Sequence, residues 1–180
     1  DLSNWLHSAT LAYDYDIEYI ADYEVEYGVF NDETGTPYHP PGAGYLSAPF
    51  VFISSLFDSE PPDRLNPVGS FGYLGYFFSS LFYFLLGTYL IIKIFIKKNI
   101  SNYSVIVFSI LSGTLVHYVT TRFMMSHAVE YFLCAALCYF FETRYRFSDN
   151  RALSAIAILY LLLSFTRPST FLYSLCLIIY

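Results

Sequence analysis

Charge is scarce in this sequence, and positive charge is the scarcer sign. Charged residues fill 13% of its 180 positions, which is about half the share usual in a soluble domain. Lys and Arg together number 9 against 15 Asp and Glu, giving a net charge of −6. Nucleic-acid binding needs a basic surface that faces the phosphates. The composition therefore argues against a nucleic-acid partner and against an ordinary soluble domain.

Cysteines and common site motifs are also few. Cys134, Cys138 and Cys176 all lie in apolar segments, and their spacing forms neither a structural zinc pattern nor a disulfide framework. The sequence contains no phosphate-binding glycine loop, no nucleophile elbow, no HExxH pair and no EF-hand spacing. These absences exclude the corresponding nucleotide, hydrolase and metal sites.

Apolar and aromatic residues take the place of charge. Hydrophobic residues make up 56% of the sequence and aromatic residues 21%, with 19 Tyr and 18 Phe. Tyr concentrates at bilayer interfaces, and about 20 apolar residues in a helix span the hydrocarbon. We therefore predict an all-α fold, a polytopic transmembrane helical bundle.

Residues 1–72 form a separate acidic region, in which Arg64 is the one Lys or Arg. Residues 31–44 carry turn-forming residues throughout and predict a loop. The apolar run 45–57 is too short to span a bilayer, so we expect an interfacial or re-entrant juxtamembrane helix. Residues 58–72 again predict a polar loop. At the start of the region we expect an amphipathic helix and then an acidic, Tyr-rich segment.

Residues 73–180 predict the transmembrane domain. Apolar segments separated by polar turns give five helices, the fifth ending with the sequence, at about residues 73–96, 105–121, 128–141, 152–165 and 169–180. The third and fourth segments are short for a full crossing. Either the helices extend into the flanking polar residues or the bilayer thins locally. We expect further transmembrane helices before Asp1 and after Tyr180.

Basic residues orient these helices. They cluster after the first and third segments, at Lys93, Lys97, Lys98, Arg144, Arg146 and Arg151. Loops rich in Lys and Arg stay in the cytoplasm. Residues 1–72 and the alternate turns are therefore predicted to face the outside of an integral, multi-pass membrane protein.

This topology gathers ionisable side chains on one outer face. They are Asp1, Asp14, Asp16, His39, Arg122, His127, Glu130 and Arg167. Ionisable groups near the membrane are costly and usually mark function. A carboxylate can take a proton from a hydroxyl, while Arg and His can stabilise a departing phosphate. The set suits a transfer reaction with an anionic leaving group.

A structural interpretation of each residue also stays open at this point. The aspartates could form a solvated acidic surface, and His39 could serve the shape of its Pro- and Gly-rich loop. The arginines at the helix ends could contact lipid headgroups. His127 and Glu130, three residues apart, could be a polar pair inside the bundle.

Four stretches carry a likeness to a known family: DLSNWLHSATLAYDYDIEYIADYE, YHPPGAGYLSAPFVFI, MMSHAVEYFLCAAL and SFTRPST. In this order they resemble the first outer loop, the HxPG loop with its juxtamembrane helix, the start of a later span and an R-P turn. The family is the polyprenyl-phosphate-sugar-dependent membrane glycosyltransferases of the GT-C superfamily. It includes protein mannosyltransferases, lipid A aminoarabinose transferases and many bacterial relatives.

The resemblance implies that a hydroxyl or amine of a glycan, lipid or protein acceptor attacks a sugar carried on polyprenyl phosphate, at the outer face of a bacterial inner or plasma membrane. Asp1 matches the family's catalytic base. Leu2 stands where the family has a second acidic residue, so Asp14 or Asp16 would have to supply that carboxylate.

The same resemblance assigns the substrate-binding residues. By position, Arg122, His127 and Arg167 would bind the lipid phosphate. His39 and Glu130 are predicted as substrate-binding residues because they lie on the same outer face. The reaction requires no cofactor, although the carboxylates could hold a divalent metal ion.

Two other functions remain open from the sequence. A transporter or flippase for a lipid-linked or small polar substrate would place charges at the bilayer midplane, whereas these charges lie at helix ends. A scaffold or receptor would not need Arg and His repeatedly on the same face.

Overall fold

The computed structural model describes residues 2–19, 36–143 and 150–174, and within these ranges the regular elements are helices. The helices are α1 (Leu2–Ala9), which continues as a π-helical turn (Thr10–Asp14), α2 (Gly42–Ser55), α3 (Phe71–Lys97), α4 (Tyr103–Ser112), α5 (Thr114–Thr121), α6 (His127–Thr143), α7 (Asn150–Thr166) and α8 (Pro168–Ser174). The predicted all-α class is confirmed for this part of the chain. Asp1, the acidic segment around residues 22–26, Arg144, Arg146 and Cys176 lie outside the described residues.

Helix α3 is the longest element, and its N-terminus is held by side chains of the preceding loop. Ser70 Oγ accepts a hydrogen bond from the Tyr73 amide at 3.1 Å. The Asp58 carboxylate accepts from the amides of Phe71 and Gly72, at 2.7 and 3.0 Å. These acceptors satisfy amides that have no partner within the helix, and the negative charge suits the helix dipole. The start of α3 is therefore fixed against the loop at residues 58–70.

The buried face of α3 carries small and hydroxylated residues. Gly75, Ser79, Tyr83 and Gly87 recur every four residues along this face, and each is buried. A Cβ at Gly75 would lie 2.6 Å from the Phe50 carbonyl oxygen of α2. The glycines therefore let the neighbouring helices approach closely, as small residues do between transmembrane helices.

The opposite face of α3 exposes large apolar side chains. These are Phe71, Leu74, Phe78, Phe82, Leu85 and Tyr89. A soluble helix buries such residues and exposes polar ones. The two faces of α3 therefore have the distribution expected of a helix that contacts lipid.

Within the described residues, α3 is the one single helix long and apolar enough to cross a membrane. Helices α4 and α5 meet the same criteria only as a pair, and they are bent by 44° at Gly113. The helix predicted over 105–121 is therefore interrupted at Gly113, which adopts an extended conformation with ψ 177°. That the two halves form one broken span stays a prediction. Helices α6 and α7 have 17 residues each, so their crossing of the membrane stays a prediction.

Helix α2 begins inside the segment that was expected to be a loop. Residues 36–41 are irregular, but the helix starts at Gly42 and ends at Ser55. The loop prediction over 31–44 is therefore wrong at its last three residues. Gly42 is in close contact with α7, and Gly44 is in close contact with α1. This packing holds the two glycines in the first turn of α2.

Candidate functional site at the ends of helices α6 and α7

Three of the predicted side chains meet where α7 ends and α6 begins. Arg167 Nη1 donates to Glu130 Oε2 at 2.8 Å and lies 3.1 Å from His127 Nδ1. His127 Nδ1 is 3.5 Å from the same carboxylate oxygen. Thr170 donates its hydroxyl hydrogen to the other oxygen, Glu130 Oε1. The carboxylate is thus engaged at both oxygens.

Local sequence explains these positions. Pro168 is the first residue of α8, and proline is favoured there because the first helical amide has no partner to lose. The chain turns at Arg167 between α7 and α8, which brings that side chain to the helix end. Glu130 lies in the first turn of α6, where the helix dipole favours a negative charge.

A cavity of about 300 Å³ opens beside this cluster. Its wall combines α1, the loop before α2, the turn before α6 and the end of α7, through Asn4, His39, Pro40, Met125, Ser126, His127, Thr166 and Arg167. The Arg167 side chain is 43% exposed, whereas that of Glu130 is 16% exposed. The guanidinium therefore keeps part of its surface available while its partner is largely enclosed.

Two glycines of the YHPPGAG segment hold its loop against the cavity. A Cβ at Gly42 would lie 2.6 Å from the backbone of Thr166, at the end of α7. A Cβ at Gly44 would lie 2.5 Å from His7 Cβ and 2.6 Å from the Asn4 carbonyl oxygen, both in α1. Only a residue without a side chain fits at these two contacts. These two close contacts place His39, which precedes the glycines in the chain, between α1 and Arg167.

A buried histidine fixes the His39 backbone. His7 Nε2 lies 2.9 Å from the His39 carbonyl oxygen, and His7 Nδ1 lies 2.6 Å from the Tyr19 hydroxyl. A carbonyl can only accept, so Nε2 carries the hydrogen and Nδ1 accepts from Tyr19 when the ring is neutral. Burial lowers the pKa of His7 and favours that neutral form.

His39 itself is also disposed to be neutral. Partial burial lowers its pKa, and the positive charge of Arg167 adds to the effect. Arg167 contributes a guanidinium group, which carries only hydrogen-bond donors, to the same cavity wall.

A second cavity, of about 400 Å³, lies between α5 and α6. It is lined by Thr114, Leu115, Tyr118, His127, Glu130, Tyr131 and Cys134, and most of its wall is apolar. The Tyr118 ring lies 4.4 Å from the His127 ring, centroid to centroid. His127 borders both cavities, so a polar space and an apolar space meet at one side chain.

The structure does not bring all the predicted residues to this place. Asp14 Oδ1 pairs with Arg64 Nη2 at 2.6 Å, away from the residues that line either cavity. Asp16 Oδ1 accepts from the Glu18 amide at 3.0 Å in an exposed turn. Arg122 is exposed in the turn after α5 and lines neither cavity. The structure thus unites His39, His127, Glu130 and Arg167.

Sequence reasoning missed Asn4, which is only 3% exposed although it lines the polar cavity. Asn4 Nδ2 donates to the Met124 carbonyl oxygen at 3.0 Å. Asn4, His7 and Ser8 lie on one helical face and all three are buried. Their spacing of three and four residues is the signal that could have indicated a buried polar face.

Among the described residues, no group of three or more His, Cys, Asp and Glu lies close enough to hold a metal ion. Comparison with known protein families, curated proteins and solved structures found no match to the chain.

Proposed function

We propose that this chain is an integral membrane glycosyltransferase, which moves a sugar from a polyprenyl-phosphate donor to a glycan, lipid or protein acceptor at the outer membrane face. The main supporting observation is that the cluster of Arg167, Glu130 and His127 lies between a polar and an apolar cavity. A polyprenyl-phosphate sugar has the same division, because its charged phosphate joins a polar sugar to an apolar chain. The resemblance of the four sequence stretches supports the same reaction.

Arg167 is the residue proposed to bind the donor phosphate. A guanidinium has five N–H donors in a planar fork, and Nη1 is used for Glu130 and His127. The other donors fit the paired oxygens of a phosphate, and such charge-assisted bonds are strong. Glu130 is proposed as a positioning residue. Its Oε2 holds the guanidinium, its Oε1 accepts from Thr170, and it does not line the polar cavity.

The reaction follows from these assignments. The oxygen of an acceptor hydroxyl attacks the anomeric carbon of the sugar while the bond from that carbon to the phosphate oxygen breaks. The negative charge left on the phosphate is stabilised by Arg167. The acceptor's proton goes to a carboxylate, and Asp1 keeps this proposed role through the family resemblance.

The first experiment measures the affinity of the detergent-solubilised chain for undecaprenyl phosphate. In Arg167→Gln we expect an affinity lower by about 10- to 100-fold, because a charge-assisted hydrogen bond is worth about 1.5–3 kcal/mol. Lys98→Gln is the matched control, because it also removes one positive charge. Lys98 follows the C-terminal end of α3 and does not line the cavity. Equal losses in the two variants would mean unspecific attraction and would contradict the proposal.

The placement in the membrane is tested separately. We propose a multi-pass protein with residues 1–72 outside, supported by the apolar exposed face of α3 and the basic residues at its end. In a background with Cys134, Cys138 and Cys176 replaced by Ser, Tyr38→Cys and Ile100→Cys introduce single exposed thiols. An impermeant maleimide should label Tyr38→Cys in intact cells and Ile100→Cys only after lysis. The reverse pattern would overturn the topology.

A transporter or flippase is the second candidate, favoured by the 44° bend between α4 and α5 at Gly113. Broken helices are typical of transporter binding sites. The chain reconstituted with undecaprenyl-phosphate-glucose and a mixture of outer-envelope acceptors separates the two functions. Release of undecaprenyl phosphate with labelled glucose on an acceptor supports the transferase. Movement of the intact donor across the bilayer without cleavage supports the transporter.

A further inference from the structure

Asn4 carries a buried hydrogen-bond acceptor that has no partner among the described residues. Its Nδ2 is used by the Met124 carbonyl oxygen, while its Oδ1 is buried and makes no hydrogen bond. Buried polar atoms are nearly always hydrogen-bonded, because leaving one unpaired costs the free energy of removing it from water. Asn4 also lines the polar cavity. A buried acceptor without a partner, in a residue that borders a cavity, is therefore an indication of a ligand.

The assignment of the two Asn4 side-chain atoms follows from the neighbouring carbonyl. Met124 can offer only an acceptor to this side chain, so the amide nitrogen must face it. The oxygen is thereby left as the atom without a partner. The close contact of Gly44 with the Asn4 backbone holds this segment of α1 in place.

The surroundings of Asn4 Oδ1 exclude two kinds of ligand group. A phosphate offers only acceptor oxygens at neutral pH, so it cannot satisfy an amide oxygen. An ammonium group would be repelled by Arg167, which lines the same cavity. An uncharged hydroxyl donor suits both neighbours.

We infer that Asn4 is a specificity-determining residue, whose Oδ1 accepts a hydrogen bond from a sugar hydroxyl while Arg167 binds the phosphate of the same molecule. The inference rests on the proposed function, and it assigns the sugar end of the donor to the α1 side of the cavity. The two residues read different parts of the ligand, so their variants should behave differently.

The experiment compares two probes, undecaprenyl phosphate and a panel of its glucosyl, galactosyl and mannosyl esters. For the full chain in nanodiscs, the measured quantity is the affinity for the best sugar ester divided by the affinity for the bare phosphate. In Asn4→Leu this ratio should fall by about three- to tenfold, the effect of one neutral hydrogen bond. Undecaprenyl phosphate itself should bind Asn4→Leu as it binds the original chain.

Asn4→Asp is the matched variant, because it keeps an acceptor oxygen and loses only the donor to Met124. Its added charge repels the bare phosphate, which carries about −1.5 to −2 charges at neutral pH, more than the singly charged sugar ester. The affinity ratio in Asn4→Asp should therefore not fall below that of the original chain. Circular dichroism and size-exclusion profiles establish that both variants fold. A structural role alone would lower the affinity ratio in both variants, since both lose the bond to Met124.

Three results would overturn the inference while leaving the proposed function in place. They are an unchanged ratio in Asn4→Leu, an equal change in Asn4→Leu and Asn4→Asp, or an original chain that binds the bare phosphate and every ester with the same affinity. Failure of the original chain to bind any of these lipids contradicts the proposed function and the inference together.

Discussion

Two arginine–carboxylate pairs in this chain have the same chemistry and different surroundings. Arg64 donates to Asp14 at 2.6 Å, and Arg167 donates to Glu130 at 2.8 Å. The Arg64 side chain is 13% exposed, and its guanidinium lies 4.3 Å from the centre of the Tyr13 ring. The Arg167 side chain is 43% exposed and lines a cavity. The first pair lies in a packed region, whereas the second leaves part of the arginine surface open to a cavity.

The hydrogen bonds around the first pair join separate parts of the chain to one another. The Trp5 indole donates to the Arg64 carbonyl oxygen at 2.9 Å, and the Tyr13 hydroxyl donates to Asp58 at 2.8 Å. Burial, and then Asp58, raise the pKa of Tyr13, so the hydroxyl keeps its proton and remains a donor. These bonds join α1 to the loop that leads into α3. The comparison teaches that a carboxylate beside an arginine does not by itself mark a site, and it favours the structural interpretation of Asp14.

The largest expected effect comes from breaking the enclosed pair. Arg64→Gln should lower the free energy of unfolding by about 2–3 kcal/mol, somewhat less than for a fully buried pair because Asp14 keeps some access to solvent. Thermal unfolding followed by circular dichroism in detergent measures it. Binding of undecaprenyl phosphate to the folded variant should be unchanged. Lost binding at unchanged stability would show that Arg64 is a ligand-binding residue and would remove the contrast.

Arg167→Lys tests whether the second pair contributes the shape of its guanidinium or only a positive charge. Lysine keeps the positive charge but loses the planar fork that matches two phosphate oxygens. We expect the affinity for undecaprenyl phosphate to fall by about tenfold, with little change in melting temperature because the side chain is partly exposed. An affinity equal to that of the original chain would mean that charge alone is used at this position.

A change of pH tests the polar face of α1 behind the cavity. The folded chain lowers the pKa of His7 below its ordinary 6.5 through burial. As the pH falls below 6.5, His7 binds a proton in the unfolded chain before it does so in the folded chain. The free energy of unfolding therefore falls with acidification. His7→Gln should reduce the drop in melting temperature between about pH 7.5 and 5.5. His39, whose pKa is also lowered, contributes in the same direction and keeps part of the drop in the variant.

The smallest effect is expected at a third acid–base pair. Lys98 and Glu142 lie 2.5 Å apart at the other end of α3, with side chains 50% and 42% exposed. Exposed pairs contribute roughly 0–1 kcal/mol, so Lys98→Ala should leave the melting temperature and lipid binding nearly unchanged. A stability loss as large as that of Arg64→Gln would mean that exposure does not separate these pairs.

The helices were predictable because they depend on local sequence. Long apolar runs bounded by Pro, Gly and charged residues gave helices close to the observed α3, α6 and α7. The break at Gly113 was not predictable, since a single glycine within an apolar run is often tolerated in a helix. The start of α2 at Gly42 was also not predictable, because it depends on contacts that Gly42 and Gly44 make with helices distant in the sequence.

The site was partly predictable for the same physical reason. The pattern of charged residues at helix ends led to His39, His127, Glu130 and Arg167, which the fold does bring together. Which carboxylate pairs with which arginine depends on the packing of α6 against α7, and Glu130 and Arg167 are 37 positions apart. The burial of Asn4 follows from the contact of α1 with Gly44, which spacing along the chain does not reveal.

Phosphorus NMR of undecaprenyl phosphate in nanodiscs containing the chain tests the central claim most directly. The original chain and Arg64→Gln should shift and broaden the phosphorus resonance in a saturable way, whereas Arg167→Gln should need about 10- to 100-fold more lipid for the same shift. A resonance unaffected by the original chain, or shifted equally by Arg167→Gln, would contradict the claim that the exposed edge of Arg167 binds a lipid-linked phosphate.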